Sequence, residues 1–571
     1  MQNRQVAAIF NELADLLEIE GENPFKVRAY RNAARTIEGL GDALEDMIDR
    51  GEDLTKLPGI GEDLAEKIVE IVRTGKLSKL EEVRKEVPDS LRALLSIEGL
   101  GPKRVKTLWE TLHITDPDTL KKAAEEHKIR ELPGFGPKTE ENILKGMHLL
   151  KQEGIRFLFA EAEAYAIDLK AFLQKAPGLH TVEVAGSFRR RKETVGDLDI
   201  LCTAAEPQKV INYFIAYDKV VKVISAGSTR STVILQNALQ VDLRVVEQKS
   251  YGAALQYFTG SKSHSIALRK IAVDMGLKIN EYGVFRGDKV IAGKTEEEVY
   301  ASIGLRYIEP ELRENRGEIE AARDDTLPRL VTLEDIRGDL HMHTTYSDGL
   351  DTIEAMVQKA ISLNYDYIAV TDHSATLAVV KGLDTKKAAA YLEEIEKLNS
   401  RYEEIHIFKG MEVDILEEGK PAMDDAVLDK LDIALGAVHA NFKLSGKEQT
   451  KRVLKAIRNP HIKGIAHPTG RLIGKREPLA LDMDEIYKAI REEGKFLEIN
   501  AQPERLDLND VLIREAKEAG VMLAVNTDAH AAGQLEYMRY GINQARRGWL
   551  EKGDLINTLP LGKLLQVIGK G

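Results

Sequence analysis

The chain has one cysteine, Cys202, and two tryptophans in 571 residues. A single thiol excludes an internal disulfide and any zinc site built on cysteine, and it fits a reducing, cytoplasmic setting. No apolar run approaches the ~18–20 residues of a membrane span. The first segment, MQNRQVAAIFNELADLL, is amphipathic and interrupted by acids, so it does not read as a signal peptide. An overall excess of positive charge is also missing. The net charge is −12, spread as −7 over residues 1–100, +4 over 101–300 and −9 over 301–571. Contact with phosphates needs only a local basic face, which the middle third can supply. The length exceeds what one core holds, since single cores stop growing near ~250–300 residues. Several domains are expected.

Residues 1–150 carry apolar residues at helical spacing, punctuated by glycine. Three segments repeat a hydrophobic-x-Gly-hydrophobic-Gly turn followed by a helix: LPGIGEDLAEKI (57–68), IEGLGPKRVKTL (97–108) and LPGFGPKTEENI (132–143). Glycines there let backbone approach a ligand, and free N–H groups at a helix start favour an anion. Gly59, Gly61, Gly99, Gly101, Gly134 and Gly136 are therefore candidate contacts to DNA-backbone phosphates; a glycine cap joining two packed helices is the plainer alternative for any one copy. From 151 to 250, short β-branched runs such as DLDILCTA and LQVDLRVV predict a sheet. From about 335, strand-like runs alternate with helical stretches, which predicts a parallel βα barrel.

The stretch AGSFRRRKETVGDLDIL (185–201) places Asp197 and Asp199 on one face of a strand. Two carboxylates on one face repel unless a divalent cation stands between them. Asp242, in LQVDLRVV, can complete the cluster from another strand. Upstream, the Gly186-Ser187 turn with Arg189 and Arg190 offers hydroxyl, N–H and guanidinium donors suited to a triphosphate. Two Mg²⁺ or Mn²⁺ ions among the three carboxylates would activate a 3′-hydroxyl and stabilise leaving pyrophosphate.

Of 13 histidines, eight follow residue 340. His341, His343, His373, His439, His467 and His530 each fall at or just past a predicted strand end, with Asp348, Glu412 and Asp528 among them. Imidazole with carboxylate suits Zn²⁺, Mn²⁺ or Fe²⁺, and so many polar residues at strand ends do not describe a core.

The pattern GSFRR, then GDLD, then a later strand aspartate resembles the family X DNA polymerases of the DNA polymerase β type, over residues 1 to about 316. The resemblance implies that Asp197, Asp199 and Asp242 bind the catalytic metals and that Ser187, Arg190 and Gly196 contact the nucleotide phosphates. It implies that Tyr257, Phe258 and Gly260 of YFTGS pack on the nucleotide sugar, and that Arg269 contacts the template. Lys262 and Ser265 stand where β-type members place Asp and Asn, and Gln240 stands in place of an Arg. The segment NPFKVRAYRNAARTI (23–37) is similar to the family's small DNA-binding domain. Lys67 falls where the β-type enzyme keeps its Schiff-base lysine; the acids Asp63 and Glu66 stand beside it, and an ordinary helix-surface lysine is the other reading.

The series HxH, SDG, TDH, GxE, H, HP, DAH resembles the PHP (polymerase and histidinol phosphatase) superfamily over about 335–571. This implies a distorted (βα)7 barrel with three divalent ions. His341, His343, Glu412 and Asp528 would hold one; Glu412, His439 and His467 a second; Asp348, His373 and His530 a third. Arg471, in HPTGR, is a candidate for a substrate phosphate.

The expected architecture is thus multidomain, α+β and α/β. It comprises an N-terminal helical lyase-like domain (1–82), helix-hairpin-helix fingers (83–152), a nucleotidyltransferase palm (153–250), a thumb (251–316), a linker (317–334) and the PHP barrel (335–571). The expected function is gap-filling synthesis on gapped or nicked DNA from dNTPs, by a monomer, with 3′–5′ exonuclease and 3′-phosphoesterase action in the barrel. Cutting at abasic sites is a further activity the resemblance implies. Two alternatives remain at this stage: a small-molecule phosphatase fused to a DNA-binding module, and a non-catalytic DNA tether.

Overall fold

The computed structural model describes residues 3–38, 44–91, 94, 100–137, 139, 140, 143, 156–374 and 382–569. The chain divides into two compact units, Met1–Ile155 and Arg156–Gly571. Among the described residues, no helix is long and apolar enough to cross a membrane.

The first unit is helical. Helix Asn3–Glu20 turns its apolar stripe, including Phe10, Leu13 and Leu17, onto Pro24–Glu38, and a common core extends to Ile68 and Leu108 of later helices. Lys106 closes the first helix by donating its ammonium to the carbonyl of Glu20 at 2.6 Å. Two of the glycine turns lead into helices as expected: Gly61 caps Glu62–Thr74 and Gly101 caps Pro102–Leu112. At the third, the amide of Glu140 bonds the carbonyl of Gly136 at 3.0 Å. Gly59 and Gly134 have φ of 77° and 81°, which only glycine adopts without strain. Gly99 lies outside the described residues.

The second unit opens with a five-stranded sheet. Its order is Leu179–Val184, Asp197–Ala204, Gln240–Val246, Arg230–Leu235, Val220–Ala226, with only the Asp197–Ala204 and Gln240–Val246 pair parallel. Helices Tyr251–Thr259 and Lys262–Asp274 and a three-stranded sheet follow. The expected linker 317–334 is instead built into the fold. It contains the helix Glu318–Asp324, Ile319 and Leu330 enter the core of the segment before it, and Val331 enters the barrel core. Its charges misled the sequence reading because they are partnered: buried Glu318 lies 2.6 Å from His264, which in turn lies 2.9 Å from the Tyr300 hydroxyl.

Seven parallel strands, from Gly338–Asp339 to Met522–Asn526, then form a nearly closed barrel in sequence order. A parallel bridge between Met342 and Ala529 brings its first and last strands together. Side chains alternate between two cores, as period two requires. Ile368, Val370, Leu497 and Ile499 face the helices, whereas Tyr367, Ala369 and Phe496 fill the barrel interior with Leu564 and Ile568 from the C-terminal segment. With one end packed by apolar groups, the polar residues at the other end are free to form a site.

Candidate active sites

The parallel pairing sets Asp199 directly beside Asp242, and Asp197 lies two residues before Asp199 on the same face. Asp242 is held on both oxygens, by the Thr232 hydroxyl at 2.6 Å and the Gln240 amide at 2.7 Å. Gln240, a departure from the family pattern, therefore orients a carboxylate. Burial, then the charges of Asp197 and Asp242, push Asp199 up to about 7, the response of a carboxylate cluster that a divalent cation would relieve. Gly186 is obligatory: its φ is 63°, and a Cβ there would lie 2.4 Å from Asp199 Oδ2.

Ser187, Arg190 and Gly196 line one cleft of about 470 Å³ together with Asp197. Arg190 donates Nε to Glu314 at 3.0 Å and one terminal nitrogen to the Thr259 carbonyl. Gly260, φ 69°, leaves room for that guanidinium, since a Cβ would come within 3.2 Å of it. Tyr257 and Phe258 pack edge to face, and Phe258 carries Arg244 over its ring at 4.5 Å. The sequence reading passed over Arg244, although LQVDLRVV places it on the face of Asp242. Arg269 is exposed, with its Nε bonded to the Ser265 carbonyl at 3.1 Å. Lys262 is exposed, and the buried Ser265 hydroxyl has no hydrogen-bond partner.

Arg189 turns away from the cleft. It grips Glu296 with two bonds of 2.9 and 2.6 Å, and Glu296 also accepts from fully buried Arg313 at 2.6 Å. Burial alone would raise Glu296, but Arg313 and Arg189 outweigh it and hold it at about 2. Glu296→Gln strips both arginines of their counter-charge and should cost about 3–5 kcal/mol in denaturant unfolding at neutral pH. A depressed carboxyl pKa stabilises the fold above its usual value of 4.5 and ceases to as pH falls toward about 2. The gap between wild type and variant should therefore narrow across that window.

In the barrel, the strand ends assemble the nine expected ligands. Three groups bring their donor atoms within 4.8 Å: His343, Asp348, His373 and His530; His341, His343 and Asp528; His373, Glu412 and His439. The grouping differs in part from the expected one, because His343 and His373 each lie between two groups. Glu412 is the hub. One oxygen lies 2.8 Å from His467 and 3.3 Å from His439, and the other 2.9 Å from His373 and 3.5 Å from His341 and His343. That second oxygen and His343 Nδ1 are buried with no hydrogen-bond partner, which suits a bound cation. Burial disfavours a proton on His439, but Glu412 and Asp414 outweigh it and lift it to about 10; His530, beside Asp348 and Asp528, rises to about 9. Burial reinforced by His373 drives His343 down to about 3. Divalent cations displace such protons when they bind. His467 and Asp528 have φ of 27° and 52°, so two of the candidate ligands sit on strained backbone.

The sequence reading missed the residues that orient these ligands. Glu498 lies 2.7 Å from His341 Nδ1 and accepts the His467 amide at 2.7 Å, and Asp414 lies 2.6 Å from His439 Nδ1. Such carboxylates fix the tautomer and aim of a ligating histidine. FLEINA carried a signal, since Glu498 alternates with Leu497 and Ile499 toward the interior.

Five family models match: helix-hairpin-helix domain (1–77), SAM-like helix-hairpin-helix tandem (91–149), DNA polymerase beta palm (159–274), DNA polymerase beta thumb (254–314) and PHP domain (339–502). The chain is 38% identical over 565 residues to the DNA polymerase/3′–5′ exonuclease PolX of Bacillus subtilis (strain 168), covering 98% of each protein. The chain belongs to the PolX family. It is an enzyme with a polymerase β-type half and a PHP half. The DNA polymerase lambda of Arabidopsis thaliana is 27% identical over 354 residues, 54% of this chain and 62% of that one. A probable phosphatase of Thermoanaerobacter sp. (strain X514) is 28% identical over 241 residues, 40% of this chain and 93% of that one.

Within this PolX member, two candidates find other partners. Lys67 forms an ion pair with Asp63 one helical turn before it. Arg471 pairs with Glu193 of the palm at 2.6 Å and with the Leu506 carbonyl, which leaves it at the palm–barrel contact. Arg505 stands nearer the candidate ligands: its Nε is 3.7 Å from Asp528 Oδ2, its charge adds to the burial that lowers His467, and one terminal nitrogen is buried without a partner. Arg505→Ala should raise the KM for a 3′ end about 10–100-fold, the ~1.5–3 kcal/mol of a charged hydrogen bond, whereas Arg471→Ala should leave that KM within about threefold. Steady-state 3′-shortening kinetics read both.

Proposed function

We propose that the palm fills short gaps in duplex DNA from dNTPs while the barrel trims or unblocks the 3′ end. The observation that carries this reading is the presence of both donor sets on one chain: three carboxylates on adjacent parallel strands, and a buried histidine–carboxylate cluster at the barrel's open end. Asp197, Asp199 and Asp242 would hold two Mg²⁺ or Mn²⁺ ions, and the nine barrel residues would hold up to three Zn²⁺, Mn²⁺ or Fe²⁺ ions. Such ions supply Lewis acidity, a nucleophile at neutral pH and neutralisation of the leaving group.

The protein's own part is placement. Thr232 and Gln240 fix the angle at which Asp242 presents its oxygens. Ser187, the Gly196 backbone and the free edge of Arg190 face one cleft and suit a triphosphate. Tyr257, Phe258 and Gly260 would meet the sugar, and Arg269 the template. In the barrel, Glu498 and Asp414 hold His341 and His439 in fixed tautomers, and Arg505 would bind the phosphate being attacked. Of the first two glycine turns, the second offers more to DNA, because Lys103 and Arg104 stand in its first helical turn where the first turn has Glu62 and Asp63. A polymerase needs a free 3′-hydroxyl, and a phosphoesterase on the same chain can make one.

The test is a 5′-labelled primer on a one-nucleotide gap with Mn²⁺ or Mg²⁺. Extension by one nucleotide with the complementary dNTP, and shortening without it, are expected. DNA bound but unchanged in both conditions would overturn the reading. Turnover of free phosphate monoesters with no action on the 3′ end would assign the barrel to small molecules instead.

A further inference from the structure

The turn from Gly186 to Gly196 carries the groups read above as triphosphate ligands, yet much of what holds it comes from the barrel. Phe188 stacks on Phe159 at 4.8 Å and packs against the apolar cluster that includes Leu506 and Tyr540 of the barrel. Arg547, the last residue of barrel helix Met538–Arg547, donates one terminal nitrogen to the Arg190 carbonyl at 2.7 Å and to Glu314 at 3.1 Å. Its other terminal nitrogen donates to Asp510. Glu314 accepts from Arg190 Nε at 3.0 Å, so one carboxylate stands between an arginine of the palm and an arginine of the barrel. Arg547 is 4% exposed. Asp510, Gln544 and Arg547 wall the same cleft that Ser187, Arg190 and Asp197 line.

We propose that Arg547 is a positioning residue of the polymerase site, through which the phosphoesterase domain sets nucleotide affinity. The inference rests on the reading of Arg190 as a triphosphate ligand. A guanidinium is a rigid planar fork, so holding two of its nitrogens fixes the direction of the third. Glu314 and the Thr259 carbonyl hold two in Arg190, and the remaining terminal nitrogen has no partner among the described residues. Arg547 anchors that arrangement twice, by sharing Glu314 and by bonding the backbone of Arg190 itself. Without it, Glu314 keeps a single arginine partner and the turn loses a backbone anchor. Arg190 must then be ordered by the nucleotide, and that ordering is drawn from binding. No atom of Arg547 needs to touch substrate.

The experiment is single-nucleotide insertion on gapped DNA by the full chain, comparing wild type, Arg547→Ala, Arg547→Lys, Glu314→Gln and Arg190→Ala. Arg547→Ala should raise the KM for dNTP about tenfold, equivalent to ~1.4 kcal/mol, with kcat within about threefold and 3′ shortening unchanged in the absence of dNTP. Arg547→Lys keeps the charge but not the fork and should fall between. Glu314→Gln should raise KM as well. A KM within twofold of wild type in Arg547→Ala would overturn the proposal, and so would a parallel loss of both activities in Arg547→Ala and Arg547→Lys, which marks a general defect. If Arg190→Ala itself leaves the KM for dNTP unchanged, the triphosphate reading has failed, and the coupling with it.

Discussion

Replacing Asp197 and Asp199 together by alanine should abolish primer extension, by at least ~10³-fold, and leave 3′ shortening intact. A barrier increase of about 4 kcal/mol accounts for that factor, and losing both ions of a two-metal site is worth at least as much. Of the three carboxylates only Asp242 would remain, tied to Thr232 and Gln240. The barrel donors belong to other strands of the fold and are untouched. A gapped primer resolved on a denaturing gel reads both activities at once. Shortening lost together with extension would place degradation in the palm and leave the barrel to another phosphate substrate. A stability signature accompanies the change. Asp199 has its pKa raised to about 7, so its ionisation destabilises the metal-free fold as pH rises through that value. In chelator at pH 8, Asp199→Asn should therefore melt above wild type, and below pH 4 the two should converge.

Glu412→Gln is expected to do the reverse. Its two oxygens meet His341, His343, His373, His439 and His467. A neutral amide keeps the shape but removes the charge that this set of imidazoles and any bridging cations share. The 3′ shortening should fall at least ~10³-fold, and the divalent metal retained after dialysis should fall with it. Extension on gapped DNA should persist, because the palm carboxylates lie on a different sheet. Metal content measured beside activity separates loss of the ions from loss of fold. Full metal retention with unimpaired shortening would remove Glu412 from the centre of the cluster.

Much of this molecule is written in short-range pattern. Asp197-x-Asp199 shares a face because strands alternate, and that follows from period two alone. The histidines at strand ends follow from the barrel rule that places sites on one face. Local turn chemistry was legible too, in the glycines before helices. What was illegible depended on partners far away in sequence. The charges of 317–334 read as a linker until His264 and the thumb core are set against them. Arg471, a candidate for a substrate phosphate in HPTGR, gave no hint of its pairing with Glu193, 278 residues away. Arg505 gave no motif, and the pairing of Phe496–Asn500 with Met522–Asn526 sets its guanidinium beside Asp528.

The sequence by itself determined which residue types stand on which face of which strand, hence the two donor sets and their chemistry, because side-chain alternation is a property of the local backbone. Tertiary structure decided which charges are spent on each other and which remain for a substrate. Guanidinium and carboxylate groups reach their partners only after sheets, helices and domains have packed, and no local rule ties Arg547 to the carbonyl of Arg190, 357 residues before it.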